Sequence, residues 1–366
     1  MKSKVVLSEI ADINPRISKE TLGNNQKLVA FVSMASVTTN GTVYSGEERK
    51  LIEVSKGYTF FQKGDVLLAK ITPCFENGKA AVVSGLSHDI GFGSTEFHVL
   101  RPKKDVDVRY LFHQVWNPAF RFHGVKNMTG TAGQKRLPTD FLKRFTVYLP
   151  PLPEQKRIAA ILDKADGIRK KREEALQLAD EFLRATFLEM FGDPVTNPKG
   201  WEEKSLLKLT DKIGSGATPR GGKSAYISQG ISLIRSLNVH DDKFIKTNLA
   251  FITNEQADAL ANVVVEKSDV LLNITGASVC RSAVVLPDIL PARVNQHVCI
   301  IRPVKSKLNS TYLLHCLISG NYKKMILTLA GAGGATREAL TKKQVENLGI
   351  PVPPIELQNK FAEIES

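Results

Sequence analysis

Three loops in the N-terminal half of this 366-residue chain carry amide, hydroxyl and basic side chains beside apolar, strand-like segments. Glutamine and arginine can form paired hydrogen bonds with adenine and guanine, and glycine turns present backbone amides to phosphate. The loops are therefore candidates for contact with nucleic acid, and ordinary solvated turns are the alternative. The candidate residues are Thr72, Asn77 and Lys79, then Ser94 and Thr95, and finally Lys126, Thr129, Thr131, Gln134, Lys135 and Arg136.

The C-terminal half offers similar loops with different side chains, as expected if the two halves contact different sequences. A further basic turn, TPRGGK, has no obvious twin in the first half. The candidates here are Asn273, Thr275 and Arg281, then Asn295 and Gln296, then Thr336 and Arg337, with Arg220, Lys223 and Arg235 in addition.

The segments around these loops recur in the same order about two hundred residues later. Such a recurrence indicates duplication, so we predict two similar halves. Two unrelated domains with common strand patterns are the alternative. The paired blocks are KGDVLLAKIT and KSDVLLNIT, GSTEFHVLRP and VNQHVCIIRP, RYLFHQV and TYLLHCL, and PPLPEQKRIAAI and PPIELQNKFAEI.

The positive charge is shared by both halves. The chain has a formal net charge of +13, of which residues 1–153 carry +8 and residues 192–355 carry +7, whereas residues 154–191 are neutral. Lysine and arginine set against phosphates release condensed counterions, so two basic halves suit a polyanion that is contacted twice. A merely basic, soluble surface is the alternative.

The neutral segment between the halves, from Glu154 to Phe191, contains no proline and has apolar residues at three- and four-residue intervals. This pattern predicts one long helix with an apolar stripe, about 57 Å in length. The second proline-led block should begin another helix, which the sequence leaves short at Ser366. We therefore expect part of the stripe to be uncovered and the chain to self-associate through it.

Several functions are disfavoured by the sequence. The four cysteines form no CxxC pair, and buried filler explains His297 and His315 better than a metal does. No NPPY-like methyltransferase motif, phosphate loop or run of ~20 apolar residues occurs. We expect a non-catalytic, cytoplasmic protein without a bound metal or a membrane segment.

Segments such as PLPEQKRIAAILDKAD and FLRATFLEMFGDPVTNPKGW, between two basic halves, resemble the specificity (S) subunits of type I restriction-modification systems. The resemblance implies an α+β fold with two mixed α/β target recognition domains related by a pseudo-two-fold repeat. Long helices that form an antiparallel coiled-coil spacer, the second one truncated, would join them. The implied domains are 1–152, 153–191 (the spacer), 192–352 and 353–366.

The same resemblance implies that each domain reads one half of a bipartite site in double-stranded DNA. Methyltransferase (M) subunits, two of them, would dock on the helices, and restriction (R) subunits would join through the complex. S-adenosylmethionine and ATP would bind to those partners, so this chain would need no cofactor. A free-standing enzyme and a structural or RNA-binding scaffold are the alternatives.

Overall fold

The computed structural model describes residues 3–18, 22, 26–44, 47–131, 133–219, 221–331 and 338–366. The chain divides into two compact units, Met1–Glu173 and Glu174–Ser366. Within the described ranges, no helix combines the length and the apolar character that a membrane crossing requires.

The N-terminal unit is built from short strands and short helices. Its strands are β1 (Ser3–Val6), β2 (Ala11–Ile13), β3 (Leu28–Val32), β4 (Glu47–Lys50), β5 (Thr59–Gln62), β6 (Val66–Ala69), β7 (Ala80–Val82), β8 (Ile90–Gly93), β9 (Phe97–Pro102) and β10 (Thr146–Leu149). Its shorter helices are Leu7–Ile10, Leu51–Val54, Val108–Trp116, Pro118–Asn127 and Thr139–Arg144.

Two four-stranded sheets, counted over the described residues, organise this unit. One has the order β2-β9-β6-β7 and is antiparallel throughout, and the other has the order β4-β3-β8-β5 with β3 and β8 parallel. All four residues of β6 are buried. An uninterrupted apolar run such as VLLA is typical of a strand covered on both faces. β1 and β10 pair separately, next to the start of the long helix.

The C-terminal unit repeats this arrangement. Its strands are β11 (Glu203–Ser205), β12 (Thr210–Ser215), β13 (Ile231–Ile234), β14 (Val239–His240), β15 (Lys243–Phe244), β16 (Ala250–Ile252), β17 (Val264–Val265), β18 (Val270–Asn273), β19 (Ser282–Val284), β20 (Ala292–Val294), β21 (Val298–Pro303) and β22 (Gly349–Pro351). Its α-helices are Leu206–Leu209, Asn254–Asp258, Ser310–Ile318, Gly320–Gly331, Lys342–Glu346 and Ile355–Glu365, and its 3-10 turns are Gly222–Ala225, Ser236–Asn238, Ala261–Val263, Gly276–Ser278 and Pro287–Ile289.

The strand order confirms the duplication. The sheet β12-β21-β18-β19 corresponds to β2-β9-β6-β7, and β16-β13-β20-β17 corresponds to β4-β3-β8-β5, with β13 and β20 again parallel. The hairpin of β14 and β15 has two paired residues on each strand, whereas the first unit has the single antiparallel bridge of Val37 with Val43. The predicted α+β fold with two related lobes is confirmed.

In each repeat, a buried aspartate directly precedes one central strand of the antiparallel sheet, β6 or β18. Asp65 accepts two hydrogen bonds from the guanidinium of Arg101, both at 2.8 Å, and one from the backbone N–H of Gln62. Asp269 does the same with Arg302, at 2.8 and 2.9 Å, and with the N–H of Glu266. Charged groups this deeply buried require such pairing, so the repeat preserves an electrostatic contact as well as a strand pattern.

A long helix runs without interruption from Leu152 to Phe191, which confirms the prediction for this segment. At 1.5 Å per residue its 40 residues span about 60 Å. Gly192 follows with a positive φ of 80°, the left-handed conformation that commonly ends a helix. Several residues of the apolar stripe are more than half exposed, namely Ile161, Ile168, Leu176 and Phe182.

A buried glutamine joins the start of each proline-led helix to its own lobe. The side-chain amide of Gln155 donates to the carbonyls of Pro150 and Asp105, and its oxygen accepts the N–H of Asp107. Gln358 makes the equivalent three bonds: its amide donates to the carbonyls of Pro353 and Lys307, and its oxygen accepts the N–H of Asn309. The second block therefore does begin a helix, Ile355–Glu365, as the repeat predicts.

Within the N-terminal unit, Asp163 holds the long helix against the helix Val108–Trp116. It accepts hydrogen bonds from Arg109 and, at 2.7 Å, from Nε2 of His113. Burial alone would raise the pKa of Asp163, but these hydrogen bonds outweigh it and hold the pKa below the ordinary value. Since the folded state favours the carboxylate, its contribution to stability is present above the pKa of an unfolded aspartate and is lost at lower pH.

We therefore predict that Asp163→Asn flattens the acid dependence of the N-terminal unit. The stability of the parent protein should fall more steeply than that of the variant between about pH 5 and pH 2. Urea unfolding at a series of pH values, followed by circular dichroism, measures the difference. Parallel pH profiles would contradict a carboxylate stabilised by Arg109 and His113.

Candidate nucleic-acid interface

The three candidate loops of the N-terminal unit converge at one end of the sheet β2-β9-β6-β7. Ile71, just beyond β6, forms a β-bridge with Arg136 in the third loop. The hydroxyl of Thr72 donates to the carbonyl of Gly133 at 3.0 Å and accepts the N–H of Lys135 at 3.1 Å. The first and third loops are thus fastened to each other, although they lie more than sixty residues apart in the chain.

Arg136 connects the third loop to the second. Its Nε and Nη2 donate to the carboxylate of Glu96 at 3.0 and 2.8 Å. This hydrogen bonding from Arg136 lowers the pKa of Glu96, and it raises the pKa of Arg136 in turn. The Arg136 side chain is 46% exposed, and its Nη1 makes only a 3.4 Å contact with the carbonyl of Gln134. A guanidinium oriented in this way can donate its remaining hydrogens to a base or a phosphate.

A buried histidine fixes the end of the third loop. Nε2 of His98 donates to the carbonyl of Leu137 at 2.8 Å, and Nδ1 accepts from the amide of Asn14 at 3.2 Å. Burial is the main cause that lowers the pKa of His98, so the ring is neutral at pH 7. The residue after Arg136 is thereby tied to the strand β9.

The remaining candidates of this unit differ in how available they are. Lys79 donates to the carbonyl of Met34 at 3.0 Å, so its ammonium already has a structural partner. Nζ of Lys126 lies 4.0 Å from the centroid of the exposed Phe122 ring. Ser94 and Thr72 are half-buried. The exposed candidates are Asn77, Thr95, Lys126, Thr129, Thr131, Gln134, Lys135 and, with its charge paired, Arg136.

The loops of the C-terminal unit converge in the corresponding way. Thr275 forms a β-bridge with Ala339, and the N–H of Gly276 donates to the carbonyl of Glu338 at 2.9 Å. The hydroxyl of Thr275 lies 2.5 Å from Nδ1 of His297, which joins the first loop to the second. Thr275, Arg281 and His297 line a cavity of about 590 Å³, together with Ser236, Ser278 and Glu338.

Two candidates of this unit are core residues, which corrects the prediction of direct contact for them. Asn273 is fully buried, and its amide donates to the carbonyls of Ser236 and Val239, at 2.9 and 3.3 Å. Asn295 is 5% exposed and accepts the N–H of His297 at 3.0 Å. Both side chains are buried and form hydrogen bonds with loop backbone, so neither is accessible to a duplex.

The other candidates are placed as follows. Arg235 is half-buried, donates to the carbonyl of Asn248 and lies 5.2 Å over the ring of Tyr226, which indicates a packing role. Gln296 is exposed and accepts from the hydroxyl of Thr218. Arg220, Thr336, Arg337 and the side chain of Lys223 lie outside the described residues.

Two residues that bond to the predicted contact residues, Glu96 and His297, are not themselves among the predicted contacts. Glu96 is acidic, and His297 suits a buried filler as well as a site residue. Their positions in the repeat contain the missing signal, because the paired blocks GSTEFHVLRP and VNQHVCIIRP place Glu96 and His297 just before β9 and β21. Those blocks start where the sheet meets the candidate loops.

Comparison with known proteins decides the family. The family model described as type I restriction modification DNA specificity domain matches the chain twice, at residues 2–178 and 198–364. The chain belongs to this family. The two matches fall on the two repeats, so the duplication is a duplication of the specificity domain.

Similar proteins include two curated specificity subunits from Escherichia coli. The chain is 41% identical over 162 residues to the type I restriction enzyme EcoEI specificity subunit and 44% identical over 155 residues to that of EcoAI. These matches cover 44% and 42% of this chain but only 27% and 26% of the relatives. The chain therefore matches about a quarter of the length of each.

The fold also matches a solved structure of the family. The type I restriction-modification system S subunit from M. genitalium superimposes with a TM-score of 0.60 at 13% identity, over 100% of this chain and 88% of the other. At this identity the likeness concerns the fold alone.

Proposed function

We propose that the chain gives a type I restriction-modification complex its DNA sequence specificity, each lobe reading one half of a bipartite site. The observation that carries the proposal is the convergence of three loops at the same end of the same sheet in both repeats. The scaffold is kept while the side chains change, from Arg136 and Glu96 to Thr275, His297 and Arg281. Such a pattern suits two readers of different half-sites.

The long helix Leu152–Phe191 would set the distance between the half-sites. Its length of about 60 Å exceeds the ~34–36 Å between successive major-groove faces on one side of a duplex. A stiff connection makes the second contact nearly intramolecular, so base pairs between the half-sites are measured by length. The proposed domains are 1–152, 153–191, 192–352 and 353–366, the last being the start of a second spacer helix.

Methylation and cleavage would belong to partners. Two methyltransferase subunits, which bind S-adenosylmethionine, would dock on the spacer, and ATP-dependent restriction subunits would join the complex. The exposed apolar residues Ile168, Leu176 and Phe182 offer surface for such docking or for a second copy of the chain. The chain itself would carry no catalytic group.

The decisive experiment is co-expression with the neighbouring methyltransferase, followed by sequencing that maps methylated adenines. We expect one bipartite motif with a gap of fixed length. Exchange of residues 1–152 for those of a related chain should change one half of the motif and keep the other. Methylation without a bipartite motif, or no methylation with a stable complex, would refute the proposal.

For the interface itself, we predict that Arg136→Ala weakens binding to the mapped site roughly ten- to a hundredfold and relaxes preference at one position. The side chain is exposed, oriented by Glu96 and able to form paired hydrogen bonds with guanine. Fluorescence anisotropy with duplexes that differ at single positions measures both effects.

A matched control is Arg144→Ala, which removes the same charge from an exposed position outside the three loops. It should leave sequence preference unchanged and alter affinity little at 0.15 M salt. If the two variants behave alike, Arg136 contributes only general charge. If Arg136→Ala changes neither affinity nor preference, it is not part of the interface.

A further inference from the structure

Three metal-ligating side chains from separate segments meet in the C-terminal unit. Asp242 lies in the turn between β14 and β15, His315 in the helix Ser310–Ile318, and Glu365 in the helix Ile355–Glu365. One ligand atom from each lies within 4.8 Å of the other two. A tetrahedral site with bonds of about 2.0–2.2 Å needs separations of roughly 3.3–3.6 Å, so small side-chain movements suffice.

The histidine of this cluster is held in place in advance. His315 is 8% exposed, stacks on Phe187 at 5.7 Å and meets the edge of Phe361 at 4.9 Å between centroids. Its Nε2 lies 3.0 Å from Oε1 of Glu365. His315 and Asp242 also line a cavity of about 360 Å³, which gives an ion a route of entry. A ligand fixed by packing loses little freedom when it binds a cation.

The duplicated position in the N-terminal unit shows what is different here. His113 is the counterpart of His315 and bonds to Asp163, whose charge is met by the guanidinium of Arg109. In the second repeat, Thr311 stands at the position of Arg109, and Asp242 adds another carboxylate. The first repeat supplies its own cation, whereas the second has two carboxylates and a histidine.

No neighbouring side chain of the second repeat takes the role that the guanidinium of Arg109 has in the first, as far as the described residues show. Lys243 and Arg184 line the same cavity, as does Asp180, which adds negative charge. Over the described part of the chain, neither Lys243 nor Arg184 forms an ion pair with Asp242 or Glu365.

We infer that Asp242, His315 and Glu365 bind a divalent first-row transition ion of the Zn²⁺ type, with water completing the coordination. Imidazole nitrogen with carboxylate oxygen suits such ions, and it is a poor match for Ca²⁺, which prefers oxygen alone. The ion would fasten the hairpin of β14 and β15 and the helix Ile355–Glu365 to the lobe. The inference is independent of DNA recognition.

The test uses the untagged chain, freed of metal by a chelator and titrated with Co²⁺ as a spectroscopic probe, then with Zn²⁺ in competition. We expect one Co²⁺ per chain and at least tenfold weaker binding for both Asp242→Asn and Glu365→Gln. Glu363→Gln, an exposed residue of the same helix, is the matched control and should bind as the parent does. Zn²⁺ should raise the Tm of the parent and the control but not that of Asp242→Asn.

Circular dichroism of each variant separates loss of the site from loss of the fold. The inference is overturned if the folded parent shows no saturable binding at Co²⁺ concentrations up to about 0.1 mM, because a specific site should be occupied by then. It is also overturned if all three variants bind with the affinity of the parent, because the ion would then lie elsewhere. Neither result affects the methylation-mapping test.

Discussion

Asp65→Ala is expected to lower the free energy of unfolding of the N-terminal unit by about 3–5 kcal/mol. The Asp65 side chain is 1% exposed and accepts two hydrogen bonds from Arg101, whose side chain is only 23% exposed. Removal of the carboxylate leaves a guanidinium largely buried without its counter-charge. It also leaves the N–H of Gln62, at the end of the strand β5, without its hydrogen-bond partner.

The corresponding Asp269→Ala should cost less, toward the lower end of the same range. Arg302 also forms an ion pair with Glu266, whose side chain is 57% exposed, so part of its charge remains compensated. Asp12→Ala is the surface control, because its 3.9 Å pair with Lys103 is exposed and should contribute less than ~1 kcal/mol.

The two tryptophans of the chain allow each lobe to be followed separately. Trp116 packs on Phe112 in the N-terminal unit, and Trp201 donates to the carbonyl of Phe191 in the C-terminal unit. Denaturant unfolding in a Trp201→Phe background reports on Asp65→Ala, and a Trp116→Phe background reports on Asp269→Ala. A loss below about 1 kcal/mol for Asp65→Ala would contradict a buried, uncompensated arginine.

The elements that the sequence predicts well are those whose pattern follows directly from burial. The strands β6 and β18 stand out because VLLA and VLLN are apolar at nearly every position and recur in order. The long helix stands out because Glu154–Phe191 lacks proline and keeps a helical spacing of apolar residues. In both cases a local rule and the tertiary structure agree.

The strand order could not be predicted from the same information. The pairing of β9 between β2 and β6, and the parallel pair β3 and β8, depend on contacts between residues far apart in the chain. The pairing of Arg136 with Glu96 spans forty residues and has the same character. The periodicity of a single segment contains no information about such contacts. The repeat predicts only that both halves share the same strand order, without saying what that order is.

Asn273 shows why some site residues were misplaced. It is the last residue of β18 and aligns with Ala69 at the end of β6, directly before the first candidate loop, where an amide suggests an exposed hydrogen-bonding group. In the second repeat, the turn Ser236–Asn238 and β14 cover it, and the amide bonds their carbonyls. The equivalent position in the first repeat is an alanine, which needs no hydrogen-bond partners, so comparison of the halves does not reveal that Asn273 is buried and bonded.

Phe361→Ala is expected to destabilise the C-terminal unit by about 3–5 kcal/mol. The ring is fully buried, and its centroid lies 5.5 Å from that of Phe187, 5.6 Å from that of Phe191 and 4.9 Å from that of His315. Truncation leaves a cavity at the point where the end of the long helix meets the helix Ile355–Glu365. Within this unit, the aromatic cluster therefore fixes the end of the proposed spacer.

Two matched variants separate the size of the ring from its position. Phe361→Leu fills most of the space and should cost less than ~1.5 kcal/mol, whereas Ile364→Ala on the same helix removes a side chain that is 42% exposed and should cost less than Phe361→Ala. Unfolding is followed by Trp201, which bonds to Phe191 beside the cluster. Equal losses for Phe361→Ala and Ile364→Ala would mean that the ring does not anchor the helix.

The same variant links packing to the proposed function. The aromatic cluster is proposed to keep the end of the spacer fixed to its lobe. At a low temperature where the Phe361→Ala variant remains folded, that variant should therefore bind sites with altered gaps between the half-sites better than the parent does. Binding to duplexes with the mapped gap, and with one base pair more or less, measures this tolerance. The parent should favour the mapped gap strongly, because a fixed distance is what makes the second contact intramolecular. A variant as selective for gap length as the parent would show that spacing does not depend on this cluster.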